Sequence, residues 1–167
     1  MSPKSNFQVV PISEAPKTDV VVYDKKPQPL VLVVDDERVI ADTLSMILSN
    51  SGFTTMTAYD GTSALELANA APPDLIITDV MMPGMTGIEL AITISQTIPT
   101  CKILLFSGQA ATVDLLEQAR DAGYNFTTLT KPVHPTDMLR RISECLTIAN
   151  VTAPAKHSSA TPTFAAN

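Results

Sequence analysis

Four short stretches of this chain each end in a residue that can do chemistry. The apolar run LVLVV, residues 30–34, is followed at once by Asp35-Asp36-Glu37, LIIT by Asp79, ILLF by Ser107, and the stretch 126–130 by Lys131-Pro132. Brought to one place, these residues put three carboxylates, a hydroxyl and an ammonium on one edge. An unneutralised group of carboxylates repels itself, and one lysine with a divalent cation would settle the charge. Ligands that are all oxygen favour Mg²⁺, Mn²⁺ or Ca²⁺ over zinc. Taken singly, each residue has a plainer reading. Asp36 reads as a helix cap, Asp79 as a turn residue, Ser107 as a turn hydroxyl and Lys131 as a solvated surface charge. The two readings part on whether the fold gathers these residues.

The pattern between them says how it would. LVLVV is continuously apolar, as expected of a strand buried on both faces. Val39, Ile40, Thr43, Leu44, Ile47 and Leu48 then recur at helical spacing up to Gly52. A threonine-rich strand over 53–58 follows, then a helix capped by Asp60 that ends before Pro72-Pro73. The third strand covers 75–78. Thr86 with Glu89 makes a capping box for a helix stopped by Pro99. A fourth strand covers 103–106, a helix spans 112–122 and is closed by Gly123, and a fifth strand falls within 126–130. Pro135 opens the last helix, with His134 as its cap and Met138, Leu139, Ile142 and Leu146 on one face. Five βα units in series predict an α/β fold with a parallel sheet and helices on both faces. In such sheets ligands sit beyond the carboxyl ends of the strands, where the residues above all lie.

Composition bounds the rest. The chain has 167 residues, 45% hydrophobic and 17% charged, with a net charge of −6. That suits one soluble domain and disfavours direct contact with nucleic acid or an anionic membrane surface. No apolar run approaches the roughly 20 residues of a membrane helix, and the start does not resemble a signal peptide. Cys101 and Cys145 each lie in an apolar segment and read as buried thiols of a cytoplasmic protein. Proline is concentrated near the two ends, so residues 1–29 read as a flexible arm, with a short edge strand over 19–23, and 150–167 as a disordered tail. The domain is then 30–149, with fourteen acidic residues against six basic ones. No second apolar core follows it, so no output domain is expected in the chain.

The segments LVLVVDDE, LIITDVMMPGMTGIEL, ILLFSG and TKP, in that order and spacing, resemble the receiver domain of two-component response regulators. The resemblance covers nearly the whole of 30–149. It implies a flavodoxin-like (βα)5 three-layer sandwich whose five-stranded parallel sheet runs 2-1-3-4-5. It also implies a phosphorylation-activated switch in a phosphorelay. Asp79 would accept a phosphoryl group from a sensor histidine kinase or a histidine phosphotransfer protein. Mg²⁺ would be bound by Asp36, Asp79 and the backbone carbonyl of Met81, with Asp35 holding a metal-bound water. Lys131 would pair with Asp79 and then with a phosphoryl oxygen, the Ser107 hydroxyl would bond another, and the Lys131–Pro132 bond would be cis. Such a protein is no enzyme beyond its own phosphorylation and slow autodephosphorylation. It signals by contacts with a downstream protein that the sequence does not identify.

One part departs from the family pattern. The aromatic switch residue three positions before the lysine is replaced by Thr128, and the nearest aromatics are Phe126 and Tyr124. The span from Gly123 to Lys131 is one residue longer than usual, which predicts a bulge in the fifth strand. Either Phe126 then acts as the swinging aromatic, or Thr128 is a small, permissive switch residue; the second reading is preferred. Met81, Met82 and Met85 read as loop packing. Met81 lies two residues past Asp79 and cannot orient a hydrolytic water, whereas Gln109, two past Ser107, could partly compensate. Two other functions share some of these features. A haloacid-dehalogenase-type phosphatase needs Asp-x-Asp, but here the aspartates are adjacent and Glu37 stands two after Asp35. A receiver-fold module that binds partners without phosphorylation remains the alternative.

Overall fold

The computed structural model describes residues 27–108 and 112–151. Gln109, the suggested strand 19–23 and nearly all of the two expected terminal segments lie outside the described residues. The elements alternate strictly: β1 (Leu30–Val34), α1 (Arg38–Asn50), β2 (Thr54–Ala58), α2 (Gly61–Ala70), β3 (Leu75–Asp79), α3 (Gly87–Thr97), β4 (Lys102–Ser107), α4 (Thr112–Asp121), β5 (Thr127–Thr130) and α5 (Pro135–Val151). All strand pairs are parallel, in the order β2-β1-β3-β4-β5. The expected flavodoxin-like α/β sandwich is the one observed. Helix α5 reaches Val151, past the expected boundary at 149, because no proline or glycine interrupts the chain before Pro154.

Alternation along the strands divides the core between two helix layers. Val31 and Val33, Leu75 and Ile77, and Leu104 and Phe106 meet Ala41 and Leu48 of α1 and Met138 and Ile142 of α5. The intervening Leu32, Val34 and Ile76 meet Ala64 and Ala68 of α2 and Leu90 and Ile94 of α3. Leu105 packs with Ala91 of α3 and Ala119 of α4. Full burial of each Leu or Ile is worth about 1.5–3 kcal/mol, which makes the continuous apolar runs the main source of stability.

The caps read from the sequence are present. Asp60 accepts from the Ser63 N–H at 2.8 Å, and Thr86 and Glu89 form a reciprocal capping box. The Nδ1 of His134 accepts from the Thr136 N–H at 3.3 Å at the start of α5. Two expectations fail. Strand β5 pairs with β4 in unbroken register, Leu104 with Thr127 through Ser107 with Thr130, so it has no bulge. The strand begins only at Thr127, and the extra length is taken up by 124–126 ahead of it. Of the three methionines, Met82 is buried and Met85 packs against the α2–α3 core, but Met81 is 46% exposed.

The turn after Asp79 is held by a close approach. The N–H of Gly87 donates to the carbonyl of Val80 at 3.0 Å, and an added Cβ at Gly87 would stand 1.8 Å from the carbonyl oxygen of Asp79. That oxygen is backbone and cannot swing aside. Gly87→Ala is expected to destabilise the fold by about 3 kcal/mol or more, read from urea unfolding. An unchanged midpoint would show that the loop yields freely.

Candidate functional site

The register explains why distant residues meet. Asp35, Asp79 and Lys131 each follow by two positions a residue packed on the α1–α5 side: Val33, Ile77 and Leu129. Because side chains alternate, the three functional groups continue the same face. The strand ends are aligned by backbone bonds. The Asp35 N–H donates to Ala58, that of Val80 to Phe106 and that of Lys131 to Ser107, at 3.3, 3.0 and 2.8 Å.

The ammonium of Lys131 donates to Asp79 Oδ1 at 2.6 Å and to Asp35 Oδ2 at 2.9 Å. Asp35 is 2% exposed, and its second oxygen accepts from the Glu37 N–H at 3.0 Å. The second oxygen of Asp79 accepts from the Met81 N–H at 2.8 Å. Burial pulls the Lys131 pKa down, but hydrogen bonds and charge from Asp79 and Asp35 outweigh it, and the net shift is upward. Asp36 is exposed and, with Glu37, Asp79, Met81, Gly108, Thr112 and Lys131, lines a cavity of about 220 Å³. Asp36 makes no cap: the residue at the cap position of α1 is Glu37, which has no side-chain bond to the helix. The Lys131–Pro132 peptide bond is cis.

Against one ammonium stand the carboxylates of Asp35, Asp36 and Asp79, so the cluster keeps a net negative charge. This oxygen-only donor set suits a hard divalent cation. Among the described residues no three His, Cys, Asp or Glu side chains form a metal cage. A cation here would lean on Asp36, Asp79, a backbone carbonyl and water, as Mg²⁺ commonly does.

Ser107 lies at the end of β4, continuing the row of Leu105 toward the α3–α4 side. Its hydroxyl shares a hydrogen bond with that of Thr112, the first residue of α4, which is 2% exposed. Thr112 was not singled out from the sequence. A threonine five residues beyond Ser107 carries no motif, and only the placement of α4 beside the end of β4 brings the two hydroxyls together. The switch candidates stand apart from the cavity lining named above. Thr128 is exposed on β5 opposite Leu105. Phe126 is half-buried against the α3–α4 cluster and stacks on Tyr124, with ring centroids 5.9 Å apart. Cys101 and Cys145 are free thiols, the first buried and the second half-buried. Burial pushes the Cys101 thiol up to about 12, so it is inert at neutral pH.

Replacing Lys131 by methionine leaves Asp35 and Asp79 facing each other without their shared cation. The expected loss is about 1–3 kcal/mol at pH 7, below that of a fully buried pair because the ammonium is partly exposed. Because the lysine pKa is raised on folding, this contribution is complete below the ordinary lysine value of about 10.4 and declines as pH climbs through the folded value. Urea midpoints of both proteins from pH 7 to 11 should show a constant gap that closes only at the alkaline end. A gap already absent at pH 7 would mean that solvent screens the pair.

Residues 31–143 match the response regulator receiver domain family. The chain is 34% identical over 122 residues to the probable transcriptional regulatory protein TcrX of Mycobacterium tuberculosis, covering 73% of this chain and 51% of that protein. It is 33% identical over 124 residues to the alkaline phosphatase synthesis transcriptional regulatory protein PhoP of Bacillus subtilis, covering 74% of this chain and 51% of that one. The chain thus spans about half the length of these curated relatives. Among solved structures, the chemotaxis protein CheY4 of Vibrio cholerae superposes with a TM-score of 0.65 at 30% identity, covering 72% of this chain and all of that one. A CheY-like receiver domain protein of Methanospirillum hungatei gives 0.69 at 26% identity, covering 76% and 100%. With its strand order, aligned strand ends and matched residues, the chain belongs to the receiver domain family of two-component response regulators.

Proposed function

We propose that Asp79 is the phosphoacceptor of a phosphorelay switch that takes its phosphoryl group from a histidine kinase or a histidine phosphotransfer protein. The observation that carries this is the Asp79 carboxylate at the wall of an open cavity, held by Lys131 on one oxygen and the Met81 N–H on the other. An oxygen of Asp79 attacks phosphorus, the P–N bond to the donor imidazole breaks, and its electron pair leaves with the ring nitrogen, which takes up a proton. A carboxylate is a weak nucleophile, so positioning and charge neutralisation must carry the step. Lys131 holds the carboxylate in place and is near enough to follow the charge onto a phosphoryl oxygen. Asp36, Asp79 and the Met81 carbonyl would hold Mg²⁺, and Asp35 a water on it. Bound there, the ion would offset the negative charge of the phosphoryl group. The phosphorylated domain would then signal through contacts with a downstream protein. Among the described residues no helix is long and apolar enough to cross a membrane.

Incubation with Mg²⁺ and acetyl phosphate should add about 80 Da, the mass of one phosphoryl group, and the Asp79→Asn variant should gain nothing. Asp36→Ala should bind Mg²⁺ more weakly by titration calorimetry. A wild-type protein that gains no mass would favour a binding module that works without phosphorylation.

Met81 bears on the lifetime of the product. Exposed at the cavity wall, it offers an attacking water no hydrogen bond. The phosphorylated form should therefore be long-lived, and Met81→Asn should lose its phosphoryl group faster in a time course of intact mass. An unchanged or slower variant would remove Met81 from the argument.

A further inference from the structure

We propose that Thr112 is a positioning residue for phosphoryl recognition: its hydroxyl aims that of Ser107 at the phosphoryl group and carries the response into α4. The inference rests on Asp79 as phosphoacceptor. Phosphoryl oxygens only accept hydrogen bonds, so Ser107 must donate to one if it is to bind it. Serine has a single O–H, and once that proton is given to the phosphoryl group Ser107 can meet Thr112 only as an acceptor. The bond seen between the two hydroxyls then survives with Thr112 as donor, and its proton turns that of Ser107 toward the cavity. Two hydroxyls in series polarise each other, and the second bond strengthens the first.

The surroundings favour keeping this link. Thr112 is 2% exposed, so its hydroxyl and that of Ser107 meet away from bulk solvent. It also lines the cavity with Asp79, Gly108 and Lys131. As the first residue of α4, Thr112 is displaced whenever Ser107 moves with their bond intact. The aromatic route is not built the same way here. Thr128 is exposed, while Phe126 is occupied by Tyr124 and the α3–α4 cluster. A hydroxyl pair thus joins the phosphorylation site to α4 directly.

The test titrates beryllium trifluoride, a mimic of an acyl phosphate, by calorimetry with Mg²⁺ in every sample. Thr112→Val should weaken binding about three- to tenfold, the equivalent of one net hydrogen bond. Thr112→Ser, which keeps the hydroxyl, should stay near wild type. In a Ser107→Ala background, Thr112→Val should have no further effect, a non-additivity that a general loss of packing would not produce. Hydrogen exchange at the backbone amides of 113–116 should respond to the mimic in wild type and not in Thr112→Val. Unchanged or tighter binding by Thr112→Val, or an equal loss in both backgrounds, overturns the proposal. If wild type binds no mimic and Asp79 gains no phosphoryl group, the phosphoacceptor reading fails and takes this inference with it. If wild type does both, a failure belongs to Thr112 alone.

Discussion

The ammonium of Lys131 binds two carboxylates at once, and much of the architecture around the site answers to that fact. Asp35 and Asp79 stand at the ends of neighbouring parallel strands, where like charges repel at short range. A single cation at the end of β5, three places from β1 across the sheet, reaches 2.9 Å from Asp35 and 2.6 Å from Asp79. It ties together three strand ends that share no hairpin. Backbone donors take the remaining oxygens, so both carboxylates are held in place rather than left to rotate. Of the three aspartates only Asp36 stays exposed. That leaves its negative charge open to the cavity and to solvent.

The two sides of the cavity differ in how much of the outer strand is exposed. On the β1–β3 side, the core residues of the strands are fully buried, and Gly87 fits α3 against the Asp79 carbonyl with no space for a methyl group. The capping box of Thr86 and Glu89 closes the same corner. On the β4–β5 side, Thr127, Thr128 and Thr130 are exposed and β5 is an edge strand only four residues long. Parts with few buried contacts open and shift at low free-energy cost. Such an arrangement holds the Asp79 carboxylate in place while β5 stays more exposed. Ser107 stands on the boundary between the two, at the last residue of β4 and hydrogen-bonded to the first of α4.

The local chemistry of the chain determined a good deal by itself. Continuous apolar runs closed by Asp35, Asp79 and Ser107 marked strands buried on both faces. The helix starts at Asp60, Thr86 and His134 were legible because capping needs only residues within one turn. Parallel crossovers then left few possible arrangements, so the gathering of acidic residues and Lys131 at one edge followed from pattern and handedness. What only the tertiary structure decided are contacts whose partners have no fixed spacing. Lys131 lies 96 residues from Asp35, and nothing local says that one ammonium serves two carboxylates. The expected bulge in β5 failed because loop length is invisible to strand periodicity, and residues 124–126 absorbed the excess. Met81 turned outward while its neighbours packed, a choice made by the space beside α2 and not by residue type. The Ser107–Thr112 pair emerged only with the placement of α4 beside the end of β4. A hydroxyl has no preferred partner in sequence, and the packed fold alone decides which one it meets.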